Sequence, residues 1–155
     1  MTFHLSCVPP TSSHHAKTIV RVRGFARMAD KPALVAAKEM LDVLLLPHRP
    51  PAPLEGPLTL ALTFTWPWAK SATKKLRALG RAPRASRPDC SNLAKTTEDR
   101  LVAMRFLQDD GQVVRLVVEK YWGDDAGITV SIEPWRAHLP VVVVESAEQA
   151  LEAMR

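Results

Sequence analysis

A chain of 155 residues allows one domain with one modest core, and 46% hydrophobic against 24% charged residues is the balance of a folded globular protein, loop-rich given thirteen prolines. The composition argues against three classes: no apolar run reaches the ~18 residues of a membrane span, the start MTFHLSCVPPTSSHH lacks the layout of a signal peptide, and Cys7 and Cys90 make no disulfide framework, so a cytoplasmic protein with reduced thiols is expected. Net charge is +5 but uneven, +10 over residues 1–88 and −5 over 89–155, which fits a protein that grips nucleic acid and holds a cation against it; a solvated charged face is the plainer reading.

In chain order, Thr2 to Val8 predicts a first strand, and Pro9-Pro10-Thr11-Ser12-Ser13 a turn. His14 and His15 are adjacent, which is not a ligand spacing, and are read as surface residues. Lys17 to Arg27 alternates and predicts one strand with a basic outer face of Arg21, Arg23 and Arg27. Asp30 is placed as N-cap, with Pro32 just inside a helix to Leu46 whose stripe is Ala33, Leu34, Ala37, Leu41, Leu44 and Leu45. Pro47 stops that helix, and a loop follows. Leu58 to Trp66 (LTLALTFTW) is the clearest strand, apolar at every second position.

The segment 69–88 carries seven basic residues and no acid: Lys70, Lys74, Lys75, Arg77, Arg81, Arg84 and Arg87. It predicts a broad positive loop, with a helical turn over Lys74 to Leu79 and the rest mobile until it meets a partner, whose binding to phosphates weakens steeply with salt. A helix is predicted from Ser91, as N-cap, to Met104. Leu93, Ala94, Thr97, Leu101 and Met104 face inward; Asn92, Lys95 and Asp99 share another face. Phe106 and Leu107 form a buried link. Gln112 to Trp122 and Ile128 to Pro134 read as two antiparallel strands joined by a turn through Asp124 and Asp125. Val141 to Val144 reads as another strand, and Ser146 with Gln149 as the capping box of a last helix. The four tryptophans are read as core, with Trp66 or Trp68 stacking on an opened base as a lesser reading.

Phosphodiester hydrolysis needs an activated water and a stabilised leaving oxygen, and carboxylates holding Mg²⁺ supply both. Magnesium takes a few carboxylates together with waters and substrate phosphate. A lysine neutralises charge developing on the phosphoryl group. Asp89, Lys95, Asp109 and Asp110 are of these types, although Asp-rich turns beside helices are common.

Read whole, RPDCSNLAK, then EDRL, then DDGQVV resembles the RusA-type Holliday-junction resolvases of bacteria and prophages. Their motif runs Pro-Asp-x-Asp-Asn-Leu-x-Lys at a helix start, then Asp-Asp-x-Gln-Val-Val after a fixed gap. The resemblance is strong over residues 88–121 and loose over the first eighty, where VPPTSSHH is similar to an early Pro-Pro loop. It does not reach the last fifteen residues. It implies a Mg²⁺-dependent endodeoxyribonuclease that resolves four-way DNA junctions in recombination and repair, acting as a homodimer. By position, Asp89 matches the first catalytic aspartate and Asp110 the last, with Asp109 its neighbour and a further metal ligand. Lys95 matches the essential lysine. Asn92 matches the motif asparagine and joins the seven basic residues above as a DNA contact. Ser91 stands where the motif has a middle aspartate, and a hydroxyl is a poor magnesium ligand. Three outcomes stay open: Glu98 or Asp109 supplies the carboxylate, two carboxylates with waters suffice, or the protein binds junctions without cutting them. A general basic nucleic-acid-binding module is the third class.

A helix over 91–104 is ~20 Å long at ~1.5 Å per residue. This predicts Asp89 and Asp110 at opposite ends, brought together across a two-fold dimer of antiparallel helices. The alternative is a chain that folds back and closes the site alone. The expected architecture is a single α+β domain over 1–155, with a mostly antiparallel or mixed sheet, two main helices, and residues 140–155 as a C-terminal extension.

Overall fold

The computed structural model describes residues 1–12, 16–22 and 24–136. Strand β1 (Thr2–Ser6) is followed by a hairpin of β2 (Lys17–Val22) and β3 (Phe25–Asp30), and helix α1 (Pro32–Leu45) by a short 3-10 turn, Leu46–His48. Strand β4 (Leu58–Pro67) leads through α2 (Lys74–Arg77) and β5 (Arg81–Pro83) into α3 (Cys90–Ala103). The chain ends its described part with β6 (Val113–Gly123) and β7 (Gly127–Pro134). Five strands form a mixed sheet in the order β1-β7-β4-β6-β5, and β2 and β3 form a sheet of their own.

The alternation in β4 sets the layers. Leu58, Leu60, Leu62, Phe64 and Trp66 are buried together with Leu41 and Leu45 of α1, Leu93, Ala94 and Leu101 of α3, and Ile128, Val130 and Ile132 of β7. The intervening Thr59, Thr63 and Thr65 are only half-buried. Burying one such Leu or Phe side chain contributes roughly 1.5–3 kcal/mol, so this apolar layer is the main force fixing the helices to the sheet. The Arg100 guanidinium, donating at 2.6 and 2.8 Å to both oxygens of Asp42, ties α3 to α1 at the rim.

Several expected elements differ. Lys17 to Arg27 is a hairpin and not one strand, because Gly24 takes a positive φ of 85° that lets the chain reverse. Alternation continues through that turn and conceals it. Asp30 lies in β3 and does not cap α1; the N-cap is Lys31, with no side-chain cap bond. The Asp30 carboxylate instead pairs with Lys17 at 2.7 Å and Lys38 at 2.6 Å, which hold its pKa down to about 2. The strands β6 and β7 are not neighbours. Strand β4 lies between them, parallel to β6 and antiparallel to β7. Parallel pairing needs a long crossover, which the segment containing α3 supplies. The turn at Asp124 and Asp125 therefore passes over the end of β4, where the Trp68 indole N–H donates to Asp124 at 2.8 Å. His14, His15, Arg23 and the elements expected beyond residue 136 lie outside the described residues. Among the described residues no helix is long and apolar enough to cross a membrane, and Cys7 and Cys90 are free thiols.

Candidate active site

The start of α3 is fixed from the sheet side. The Lys120 ammonium on β6 donates to the Ser86 carbonyl at 2.9 Å and the Pro88 carbonyl at 2.7 Å, and Pro88 itself is buried. The Arg87–Pro88 peptide is cis. Asp89, not Ser91, is the N-cap residue, with extended backbone, and its carbonyl accepts from the Leu93 amide at 3.2 Å. An N-cap aspartate ordinarily accepts from the second or third amide of its helix. Asp89 does not: its carboxylate makes no cap bond and receives only a long 3.4 Å contact from the Asn92 amide. The carboxylate is thus exposed and free for another partner. It lines a hollow of about 330 Å³ with Thr11, Arg87, Pro88 and Asn92, which brings the early Pro-Pro loop to this end of the helix.

Leu93, Ala94, Thr97 and Leu101 are buried as expected, and Thr96 joins them. The hydroxyls of Thr96 and Thr97 donate to carbonyls one turn back, at 3.1 and 3.0 Å, so neither enters the core unsatisfied. The opposite face presents Lys95, whose ammonium lies 3.0 Å from Asp99 and 2.5 Å from Asp110.

Contact between Lys95 and Asp110 corrects the expected separation. Asp110 does not stand at the far end of α3. After the helix, Arg105 adopts φ 62°, Phe106 returns its amide to the Leu101 carbonyl, and buried Phe106 and Leu107 turn the chain back along α3. Lys95 is six residues beyond Asp89, ~9 Å along the axis at ~1.5 Å per residue, so Asp110 faces the first half of the helix. The folded-back chain needs no partner to bring Asp110 to this face.

The turn bearing Asp110 is braced by Gln112. Its side-chain oxygen accepts from the amides of Gln108 at 2.8 Å and Asp109 at 3.2 Å, while its nitrogen donates to the carbonyls of Leu54 at 3.0 Å and Gly56 at 3.1 Å. Asp109 caps the turn, accepting from the Gly111 amide at 2.7 Å, so its carboxylate already has a structural task. Hydrogen bonding to Asp110 and then to Asp99 raises the pKa of Lys95, and the same bond lowers that of Asp110. The pair is charged throughout the neutral range. Glu98 beside them is pushed up, first by burial and then by the negative charges of Asp110 and Asp99 against the pull of Lys95.

Among the described residues, no three His, Cys, Asp or Glu side chains converge at metal-ligand spacing. The donor set suits a hard divalent cation. Exposed, hard carboxylate oxygens, few in number, match magnesium, which keeps several of its waters, and do not match an ion that needs a full protein cage.

The basic segment carries the expected helical turn, as α2, and also the short strand β5. Thr73 caps α2, accepting from the Leu76 amide at 3.2 Å, and β5 pairs with the end of β6. Lys70, Lys74, Lys75, Arg77, Arg81 and Arg87 are exposed. Arg84 is placed differently from the others. It is 8% exposed, with its guanidinium 3.9 Å from the Trp66 ring centroid and 4.8 Å from that of Trp122, so it packs inside the molecule. Trp66 is buried too and donates to the Pro9 carbonyl at 2.9 Å, which removes it as a stacking platform for a base. Sequence reasoning quoted Gln112 in a motif without seeing its bracing role. It passed over Lys120, whose place in the apolar run of β6 was the available signal.

A protein-family model described as "Endodeoxyribonuclease RusA" matches residues 8–133, well beyond the motif region and stopping short of the last residues. A "Crossover junction endodeoxyribonuclease rusA" of Lactococcus phage r1t is 27% identical over 130 residues, covering 84% of this chain and 93% of the phage protein. An uncharacterised protein of Bacillus subtilis strain 168, YqaN, is 25% identical over 114 residues, 70% of this chain and 80% of its own length. Together with an Asp-headed helix, its lysine, and the Asp-Asp turn folded back onto that lysine, a match over this much of the sequence shows that the chain belongs to the RusA endodeoxyribonuclease family.

Proposed function

We propose that the protein is a Mg²⁺-dependent endonuclease that resolves four-way DNA junctions in recombination and repair, working as a cytoplasmic homodimer. The observation that carries the reading is the face of α3. An unengaged Asp89 carboxylate heads the helix, and Lys95, six residues on, holds the Asp110 carboxylate. Asp89 and Asp110 would hold the ion, with Asp109 adjoining them. Magnesium, when bound, polarises the phosphate and supplies a more acidic water. Lys95 has its ammonium fixed by two carboxylates and charged, ready to face the negative charge that grows on the phosphoryl oxygens. The exposed cations of segment 70–87, with Asn92, would contact the DNA arms. Two copies related by a two-fold axis would give the paired cuts that a symmetric junction requires.

A second reading is a protein of the same fold that binds branched DNA and does not cut it. Ser91 in place of the motif aspartate favours it, as does the lack of a three-carboxylate cluster among the described residues. A labelled four-way junction and its duplex control, with Mg²⁺ and with EDTA, separate the readings. Symmetric nicks with Mg²⁺, abolished in Asp89→Asn while junction affinity stays within about twofold, are the expected result. Full-rate cutting by that variant would remove the site assignment. Selective binding without nicks supports the second reading, with Ser91→Asp then expected to restore cutting. Equal affinity for duplex would point to a general nucleic-acid-binding module.

A further inference from the structure

We infer that Lys120 is a positioning residue for the cleavage site, acting through the main chain that presents Asp89; this rests on the nuclease reading above. Lys120 lies on β6, a strand that contributes no group to the site. Its ammonium is half-buried and points at no carboxylate. It donates instead to two backbone carbonyls, Ser86 at 2.9 Å and Pro88 at 2.7 Å, the second belonging to the residue just before Asp89. The Lys120 carbonyl accepts from the Arg84 amide at 2.9 Å, so the same residue grips both ends of the segment 84–88. Neither Asp89 nor Asn92 has a short side-chain bond of its own to fix the start of α3. The direction of the Asp89 carboxylate therefore depends on where Pro88 is held.

A lysine suits this task for a physical reason. Its compact ammonium has three donors and can serve two carbonyls that do not lie in one plane. The Pro88 carbonyl would otherwise sit part-buried without this donor, which disfavours the observed path of the turn. An arginine fork could reach them in part. A methionine fills the volume and supplies no donor.

The test compares wild type, Lys120→Met and Lys120→Arg by single-turnover cutting of a four-way junction across a Mg²⁺ titration. Junction affinity in EDTA and the thermal midpoint are measured alongside. Lys120→Met is expected to lose about 10- to 100-fold in cutting rate and to need more Mg²⁺ for half-maximal rate, as outer supports of metal ligands do. Junction affinity in EDTA should stay within about twofold, and Lys120→Arg should recover part of the rate. A merely structural lysine would lower the thermal midpoint and leave the Mg²⁺ midpoint unchanged; that result overturns the inference, as does cutting within about threefold of wild type. If Lys120→Met fails to fold, the judgement passes to Lys120→Arg, where an unchanged Mg²⁺ midpoint overturns it. If wild type itself does not cut, the nuclease reading fails first. Lys120 is then judged from amide spectra of Lys120→Arg: shifts confined to residues 84–92 uphold its grip, and their absence overturns it.

Discussion

Glu98 is the carboxyl of the α3 face most at odds with its surroundings. Burial raises its pKa above the ordinary glutamate value near 4.3, and Asp110 and Asp99 push the same way. The folded form then binds more protons than the unfolded form between the two values, so stability falls as pH rises through that window. Glu98→Gln should raise the thermal midpoint at pH 8, and the gain should vanish as pH drops toward the unfolded value. A midpoint difference independent of pH would show that charge is not the cause. The same experiment bears on the missing motif aspartate. If Glu98→Gln also raises the Mg²⁺ requirement, Glu98 supplies the carboxylate that Ser91 lacks. Asp89, Lys95 and the Asp-Asp turn were picked out by their resemblance to the family motif, since spacing alone was a weak signal. What spacing could not convey was which carboxylates already have a task. Asp109 caps a turn and Asp30 serves two lysines, while Asp89, in the position where capping is most expected, caps nothing.

At the scale of elements, β4, the inward face of α3 and the buried Phe106-Leu107 link were read correctly, while the Lys17–Arg27 hairpin and the order of β6 and β7 were not. Strand β4 and the inward face of α3 follow from alternation and from the 3.6-residue repeat, because burial on one side leaves that imprint. The crossing of β4 between β6 and β7 leaves none, since both orders bury the same side chains. Gly127 records the consequence. It opens β7 where β1 and β4 close on either side, and a Cβ there would lie 2.2 Å from the His4 imidazole and 2.6 Å from the Leu5 carbonyl. The carbonyl cannot move without breaking the β1–β7 ladder. Gly127→Ala should destabilise the protein by about 1–3 kcal/mol in denaturant titrations, the range for overpacking a close-fitted site. A loss below about 0.5 kcal/mol would mean that β1 yields more easily than its register suggests.

For the whole molecule, two observations bear on assembly and on DNA. The core cluster places α1 and α3 with the inward side chains of β4, and the threonines on the other side of β4 are only half-buried. Asp110 reaches Lys95 within one chain, so a dimer is not required to bring the Asp-Asp turn to the face of α3; it would serve to set two such faces at the spacing of a junction. Sedimentation at micromolar concentration should give twice the chain mass of 17.2 kDa. Mixing wild type with Asp89→Asn should then give single-strand nicks without paired cuts, and a monomer at all concentrations would end the two-fold scheme. The dimer was anticipated from the family resemblance and from helix length, the second presuming a straight exit from α3. The turn at Arg105 was invisible because an arginine, unlike Gly, Asn or Asp, gives no sequence signal of a positive φ.

The packing of Arg84 between Trp66 and Trp122 has a practical result. Those two indoles form an intrinsic optical gauge of the segment that leads to Asp89. Trp66 is buried and Trp122 half-buried beneath the guanidinium, so DNA that lifts the segment is expected to let water reach Trp66 and redden its part of the emission, over a background from Trp68 and the exposed Trp135. Substrate engagement could thus be followed in real time, on unlabelled protein, before any bond is cut.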